Sequence, residues 1–347
     1  MRFFITGHTG FKGAWLVFLL NRLGHEVVGF SDKVEPGSLF GTTKCENIMS
    51  KNYSGDIRDI RILQRALRDS KPDFLIHMAA QSLVRRSFLE PADTLEINVG
   101  GTVNVLAAAK EFPSITGALI VTTDKVYAPN ETKAPHREDD SLKGFDPYSS
   151  SKVLADQYAQ SWIKHVGSFP VGIARAGNVI GGGDICADRL VPGIFRSMEM
   201  NSEIELRFPN ATRPWQHVLD CLIGYIRICS YLFQTQKSGV WNIGPDHRNI
   251  TQVSEMCDKL ISLNSSSISW KAVGTNVFPE SDYLSLNSDK AKNELGWSNL
   301  LGLDDTLIWT SNWYKEITLG LNSNEIVLNQ INQYLKFMNK EDFDFGM

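Results

Sequence analysis

Apolar positions along the chain fall into two rhythms, short unbroken runs and longer stretches at helical spacing. "RFFITG" is a short apolar strand, and "AWLVFLLNRLG" keeps helical spacing until Gly24 ends it. "HEVVGF" follows as a second strand. The alternation continues with "ILQRALRDS" as helix, "DFLIHMAA" as strand, "TVNVLAAAKEF" as helix, "GALIVTT" as strand, a helix from about Ser149 to His165, and the strand "VGIARA". Unbroken apolar strands separated by helices predict an α/β fold, a doubly wound parallel sheet covered on both faces. From Gly177 the rhythm changes. "GNVIGGGD" is loop-like, and the strands beyond it are short and irregular. This divides the chain into a first domain over 1–176, a smaller substrate domain mainly over 177–320 from which the chain can return to the first, and a C-terminal segment over 321–347. That last part holds the amphipathic "NEIVLNQINQYLKFM" and the acidic, aromatic "KEDFDFGM", expected to be a loosely held end.

Composition narrows the function. The chain has 347 residues, of which 42% are hydrophobic, enough to build a full core. A net charge of -4 without a polybasic stripe argues against nucleic acid or an anionic membrane as partner and favours a small molecule. The five cysteines are scattered without a CxxC pair, which suggests neither a disulfide framework nor a metal site. The opening residues enter an apolar strand directly, and no apolar stretch approaches a membrane span; the expectation is a cytoplasmic protein, neither exported nor inserted.

Candidate chemistry begins at "TGHTGFKG", where Gly7, Gly10 and Gly13 lie between the first strand and the first helix. Glycines there let backbone amides approach a pyrophosphate at the positive end of a helix, so the turn points to a dinucleotide. The spacing is GxxGxxG. At the end of the second strand, where an acid usually meets the adenosine ribose, Ser31 stands with Asp32 after it, which favours NAD over NADP modestly. In "GDIRD", Asp56 and Ile57 are placed to face an adenine, with Asp56 as a helix cap the structural alternative. "DPYSSSKVLADQ" sets Tyr148 and Lys152 four residues apart, on one helix face. A neighbouring ammonium and a positive nicotinamide both favour the phenolate of such a tyrosine, which then takes a hydroxyl proton while hydride leaves the same carbon. "VTTDKVY" puts an acid, Asp124, beside a base, Lys125, at the exit of a buried strand.

Together the glycine turn, "HMAAQ", "TTDK", "YSSSK", "RAGNVIGGGD" and "ATRPWQHVL" resemble the extended short-chain dehydrogenases/reductases, a Rossmann-type family, and within them the bacterial CDP-glucose 4,6-dehydratases. The resemblance spans roughly Met1 to Tyr314. It implies a lyase in which Tyr148 assists oxidation of sugar carbon 4 by NAD. Lys125 then abstracts the carbon 5 proton, Asp124 protonates the departing carbon 6 hydroxyl, Thr123 hydrogen-bonds the carbon 4 oxygen, and hydride returns to carbon 6. A lysine serving as base must lose its proton, which burial and neighbouring positive charge promote. The resemblance also implies cofactor contacts from Gly7, Thr9, Gly10, Phe11, Gly13, Asp32, Asp56, Ile57, Ala79, Ala80, Asn98, Tyr148 and Lys152. Toward the nucleotide sugar it implies His8, Gln81, Asn178, Arg189, Leu190, Arg213 and His217, although His217 in "WQHVL" reads more readily as a packed strand histidine than as a ligand or catalyst. Relatives generally present an arginine near "ESDYLSLN", where Asp282 and Tyr283 stand, and "YAPNETKAPHREDD" lacks aromatic residues seen in them. A homodimer and a place in deoxysugar synthesis for a lipopolysaccharide O-antigen or other surface glycan complete the expectation.

The rival readings are a dehydratase for another nucleotide sugar, an epimerase or simple oxidoreductase on the same fold, and a non-catalytic dinucleotide sensor. An epimerase leaves Asp124 and Lys125 without a task. A sensor has no use for the Tyr148 and Lys152 pair.

Overall fold

The computed structural model describes residues 1–129, 132, 134–246, 250–274 and 283–338. In chain order its strands are β1 (Arg2–Thr6), β2 (Glu26–Ser31), β3 (Lys51–Ser54), β4 (Phe74–His77), β5 (Gly117–Thr123), β6 (Val171–Ala176), β7 (Asn178–Ile180), β8 (Ile204–Leu206), β9 (Thr212–His217), β10 (Gly239–Ile243), β11 (Ile250–Gln252) and β12 (Trp270–Ala272). Seven of them form one sheet in the order β10-β6-β5-β4-β1-β2-β3, and every neighbouring pair is parallel. The chain starts at β1, winds outward to β3 and then returns to build β4, β5 and β6 on the other side. The order therefore reverses between β1 and β4, the crevice where open α/β sheets bind ligands.

Side chains alternate across this sheet as the pleat requires. Phe3, Ile5, Phe74, Ile76, Leu119 and Val121 enter one core with the Phe11–Arg22 and Val218–Thr235 helices. Phe4, Leu75, Ala118 and Ile120 enter the other, with the Ile60–Ser70, Gly101–Lys110 and Pro147–His165 helices. The first helix buries eight consecutive residues, Gly13 to Leu20, because the Ser323–Leu335 helix also packs on it. That last helix buries Ile326, Val327, Gln330, Ile331 and Tyr334, one stripe at helical spacing. Its Tyr334 hydroxyl donates to Asp220 Oδ1 at 2.6 Å. The amphipathic segment is thus docked as far as Leu335, whereas "KEDFDFGM" lies outside the described residues.

Beyond β6 a second, smaller core gathers Ile180, Val191, Ile194, Leu206, Trp215, Met256 and Leu260 around the three-stranded sheet β11-β9-β7 and the pair β12-β8. "GNVI", expected as loop, supplies β7, which pairs in parallel with β9. After the Val218–Thr235 helix the chain re-enters the large sheet, and β10 pairs with β6 from Gly239 to Ile243.

Candidate active site

The turn after β1 is built for close approach. Gly7 has φ +75°, and a Cβ there would stand 2.7 Å from the Ala79 nitrogen at the end of β4. A Cβ on Gly13 would stand 2.3 Å from the Gly7 carbonyl oxygen and 2.6 Å from His8 Cα, so the helix can sit on the turn only without one. Gly10 caps the Phe11–Arg22 helix and brings no side chain to its free amides. Thr9 ties the turn to the end of β2, its hydroxyl meeting Ser31 Oγ and Lys33 O at 2.7 Å each. A bare helix N-terminus at the sheet's reversal point, with Ala79 and Ala80 half-buried beside it, fits the pyrophosphate and ribose of a dinucleotide.

The strand next to β4 delivers the reactive groups. At the end of β5, Thr123 and Asp124 are buried and Lys125 is half-buried. Thr123 Oγ1 donates to Asp124 Oδ1 at 3.0 Å and accepts from the Lys125 amide at 3.3 Å. Asp124 Oδ2 is buried with no hydrogen-bond partner. Burial raises the pKa of this carboxyl, against the opposing pull of Lys125, Thr123 and Arg213, which favours a proton on it. Tyr148 and Lys152 come from the Pro147–His165 helix, started by an Asp146 capping box and Pro147. Burial pushes the Tyr148 phenol up to about 12, only partly offset by its hydrogen bond to Thr123 and by Arg189. The side chains alone therefore do not make the expected phenolate. Lys152 Nζ donates to the Val121 carbonyl at 3.3 Å rather than to the phenol. Burial, with the charge of Lys12 adding to it, brings Lys152 down to about 8.

Two arginines of the smaller lobe reach the same place. Arg189 caps the Leu190–Glu199 helix, is held at 2.9 Å by Asp184, and acts electrostatically on Tyr148. Arg213, buried on β9, acts on Asp124. Asn178 begins β7, directly after Gly177, where a Cβ would stand 3.4 Å from Asp124 Oδ2. Leu190 is half-buried and turns toward the smaller core. Tyr283 pairs with Thr212, next to Arg213; Asp282 lies outside the described residues.

Other expected contacts are committed elsewhere. The His8 ring packs against Gly29, where a Cβ would stand 2.4 Å from it, bonds Asn52 at 2.9 Å and meets Phe40 edge-on. The ring lies against β2 and β3. His217 is fully buried between Trp15 and Trp309, and accepts from the Leu219 amide as the cap of the following helix. It is the packed histidine. The Gln81 side chain bonds Leu83 and Thr94, and Asn98 grips the Gln81 backbone and, on the Tyr148 helix, Ser151 Oγ. Asp56 is paired with Arg58 and does not cap a helix; Asp59 does. The Ile57 side chain fills the core against Gly101. Asp32 is exposed, its carboxylate accepting from the next amide. Lys12 escaped the sequence reading: Tyr225, its partner, is remote in the chain, and the one signal was a lysine where the turn enters a buried helix.

Among the described residues no group of three or more His, Cys, Asp or Glu could hold a metal ion, and no helix is long and apolar enough to cross a membrane. The chain is 39% identical over 325 residues to CDP-glucose 4,6-dehydratase of Salmonella typhimurium, covering 90% of each. It is 25% identical over 338 residues to UDP-glucose 4-epimerase of Lactobacillus helveticus, covering 92% of this chain and 99% of that one. The fold matches that of dTDP-glucose 4,6-dehydratase from Bacillus anthracis in complex with NAD, with a TM-score of 0.79 at 22% identity, covering 95% of this chain and 99% of that one. Residues 3–244 match the model of the NAD dependent epimerase/dehydratase family. With a glycine cradle at the sheet reversal and a Tyr–Lys pair beside it, the chain belongs to the NAD dependent epimerase/dehydratase family.

Proposed function

We propose that this chain is a nucleotide-sugar 4,6-dehydratase, a hydro-lyase that converts CDP-glucose to CDP-4-keto-6-deoxyglucose with NAD as cofactor. The observation that carries the reading is Asp124, a buried carboxyl with one unfilled oxygen, adjoining Lys125 and bonded to Thr123 at the end of β5. An epimerase needs no such acid and base. Gly7, Gly10 and Gly13 would hold NAD, which would supply a hydride acceptor that is regenerated within each turnover. As the phenolate, which the positive nicotinamide would favour against the burial of the side chain, Tyr148 receives the proton of the carbon 4 hydroxyl while Thr123 holds the oxygen. With carbon 4 a ketone, the carbon 5 proton is acidic and Lys125 takes it. Asp124 gives its proton to the carbon 6 hydroxyl, which leaves as water. Lys125 then returns a proton to carbon 5 once carbon 6 is reduced, and the proton held by Tyr148 restores Asp124 through solvent. Arg189 and Arg213 are the cations for the diphosphate, with Asn178 beside them.

The finer points follow from the same reading. Leu89 (76% exposed), Leu95 (45%) and Leu154 (46%) lie on helices of the first domain, and a homodimer through those helices would cover them. The product suits deoxysugar synthesis for a surface glycan such as an O-antigen, made in the cytoplasm. The test is mass spectrometry of CDP-, dTDP-, UDP- and GDP-hexoses incubated with the enzyme. A product from CDP-glucose lighter by one water is expected, and Asp124→Asn should slow its formation by about 10²–10⁴-fold. Undiminished turnover in both Asp124→Asn and Lys125→Met, or no water loss from any sugar, overturns the reading.

A further inference from the structure

Lys12 occupies the second position of the Phe11–Arg22 helix, immediately before Gly13, where burial makes an ammonium costly. Its charge is held by a hydroxyl, not a carboxylate. Nζ donates to Tyr225 OH at 2.9 Å and lies 5.3 Å from that ring's centroid, and Tyr225 is fully buried on the Val218–Thr235 helix. Two elements 213 positions apart thus fix a cation beside the candidate active site. Asp124 and Arg189 both act on it, the first favouring its charge and the second opposing it.

We propose that Lys12, anchored by Tyr225, is an electrostatic positioning residue for the Tyr148 and Lys152 pair, a fixed second cation set against Lys152. This rests on the roles given above to Tyr148 and Lys152. The other groups facing Lys152 do not cancel it. Asp156, on the same helix, favours the ammonium, but its carboxylate is shared with Arg175 of β6. His77 on β4 is uncharged at neutral pH because burial holds it at about 3. From β5 the contact is the Val121 carbonyl. With Lys12 in place, Lys152 sits at about 8, where both of its forms are populated and it can pass a proton to and from Tyr148. Without Lys12, burial alone would hold Lys152 down and its neutral form would be scarcer.

The test reads Lys152 directly. Protein labelled with [13Cε]lysine is titrated by NMR as isolated, the Lys152 signal being assigned by its loss in Lys152→Met. In Lys12→Met the Lys152 midpoint should rise by about one pH unit, a tenfold smaller neutral fraction at a given pH, while Lys12→Arg should keep the native midpoint. Tyr225→Phe, which frees the ammonium without removing it, should give a smaller rise. A Lys12→Met protein of native thermal stability whose Lys152 midpoint does not move overturns the proposal. If Lys12→Met does not fold, an unmoved midpoint in Tyr225→Phe does the same. Because the readout needs no turnover, the coupling can hold while full activity in Tyr148→Phe defeats the catalytic reading, and the two failures stay separate.

Discussion

Removing the guanidinium of Arg175 isolates a fully buried ion pair, Arg175 with Asp156. Arg175 and Asp156 are both fully buried and paired twice, Nη2 to Oδ1 at 2.8 Å and Nε to Oδ2 at 2.9 Å. Arg175 Nη1 also donates to Tyr127 OH and to the Glu138 carbonyl, each at 2.9 Å. Thr122 and Gln160 donate to the carboxylate as well, so Arg175→Met leaves Asp156 solvated by two neutral donors in place of a charge. Breaking a buried pair from one side costs about 3–5 kcal/mol, since the remaining ion keeps its desolvation penalty. An unfolding entropy of about 2.1 cal/mol/K per residue over 347 residues converts this to a melting temperature lower by roughly 4–7 °C. Differential scanning calorimetry reads the shift. Asp156→Leu with Arg175→Met removes both charges and should recover more than half of it. A single variant within about 1 °C of native, or a double variant that loses the sum of the two singles, refutes the argument.

Gly13→Ala should weaken NAD binding at least tenfold by isothermal titration calorimetry, because its Cβ would meet the backbone of Gly7 and His8 at 2.3–2.7 Å; Gly100→Ala, with open space around it in a helix, should leave binding unchanged and add up to about 1 kcal/mol of stability. Asp220 is held at about 6 by burial, against the donors Tyr334, Leu300 and Leu301. Its folded-state pKa exceeds the unfolded one, so its stabilising contribution is full below about pH 4 and is lost as pH rises through about 6, a difference of roughly 2–3 kcal/mol. Melting temperatures across that window should lose this slope in Asp220→Asn, and an unchanged slope there would show that another group titrates.

The sequence by itself determined the elements whose cause is local or periodic. Strands buried on both faces of a parallel sheet must be unbroken apolar runs, so β1, β2, β4, β5 and β6 were legible, as were the glycine turn and the Tyr148 and Lys152 spacing on one helix face. The edge strand β3, "KNYS", is mostly exposed and carries no such run, and it forms because its backbone pairs with β2. That the chain can return to the first domain was legible, but that β10 is the segment that does so was hidden, since pairing with β6 depends on where the preceding helix delivers the chain. Tertiary structure alone decided the side-chain commitments. His8 turns against β2 because Gly29 leaves room for its ring, and the Gln81 side chain bonds Leu83 and Thr94. Tyr225 meets Lys12 because two helices cover the same sheet face. A residue's type and spacing state what chemistry it can do; burial and partners brought from distant parts of the chain set its charge and its direction.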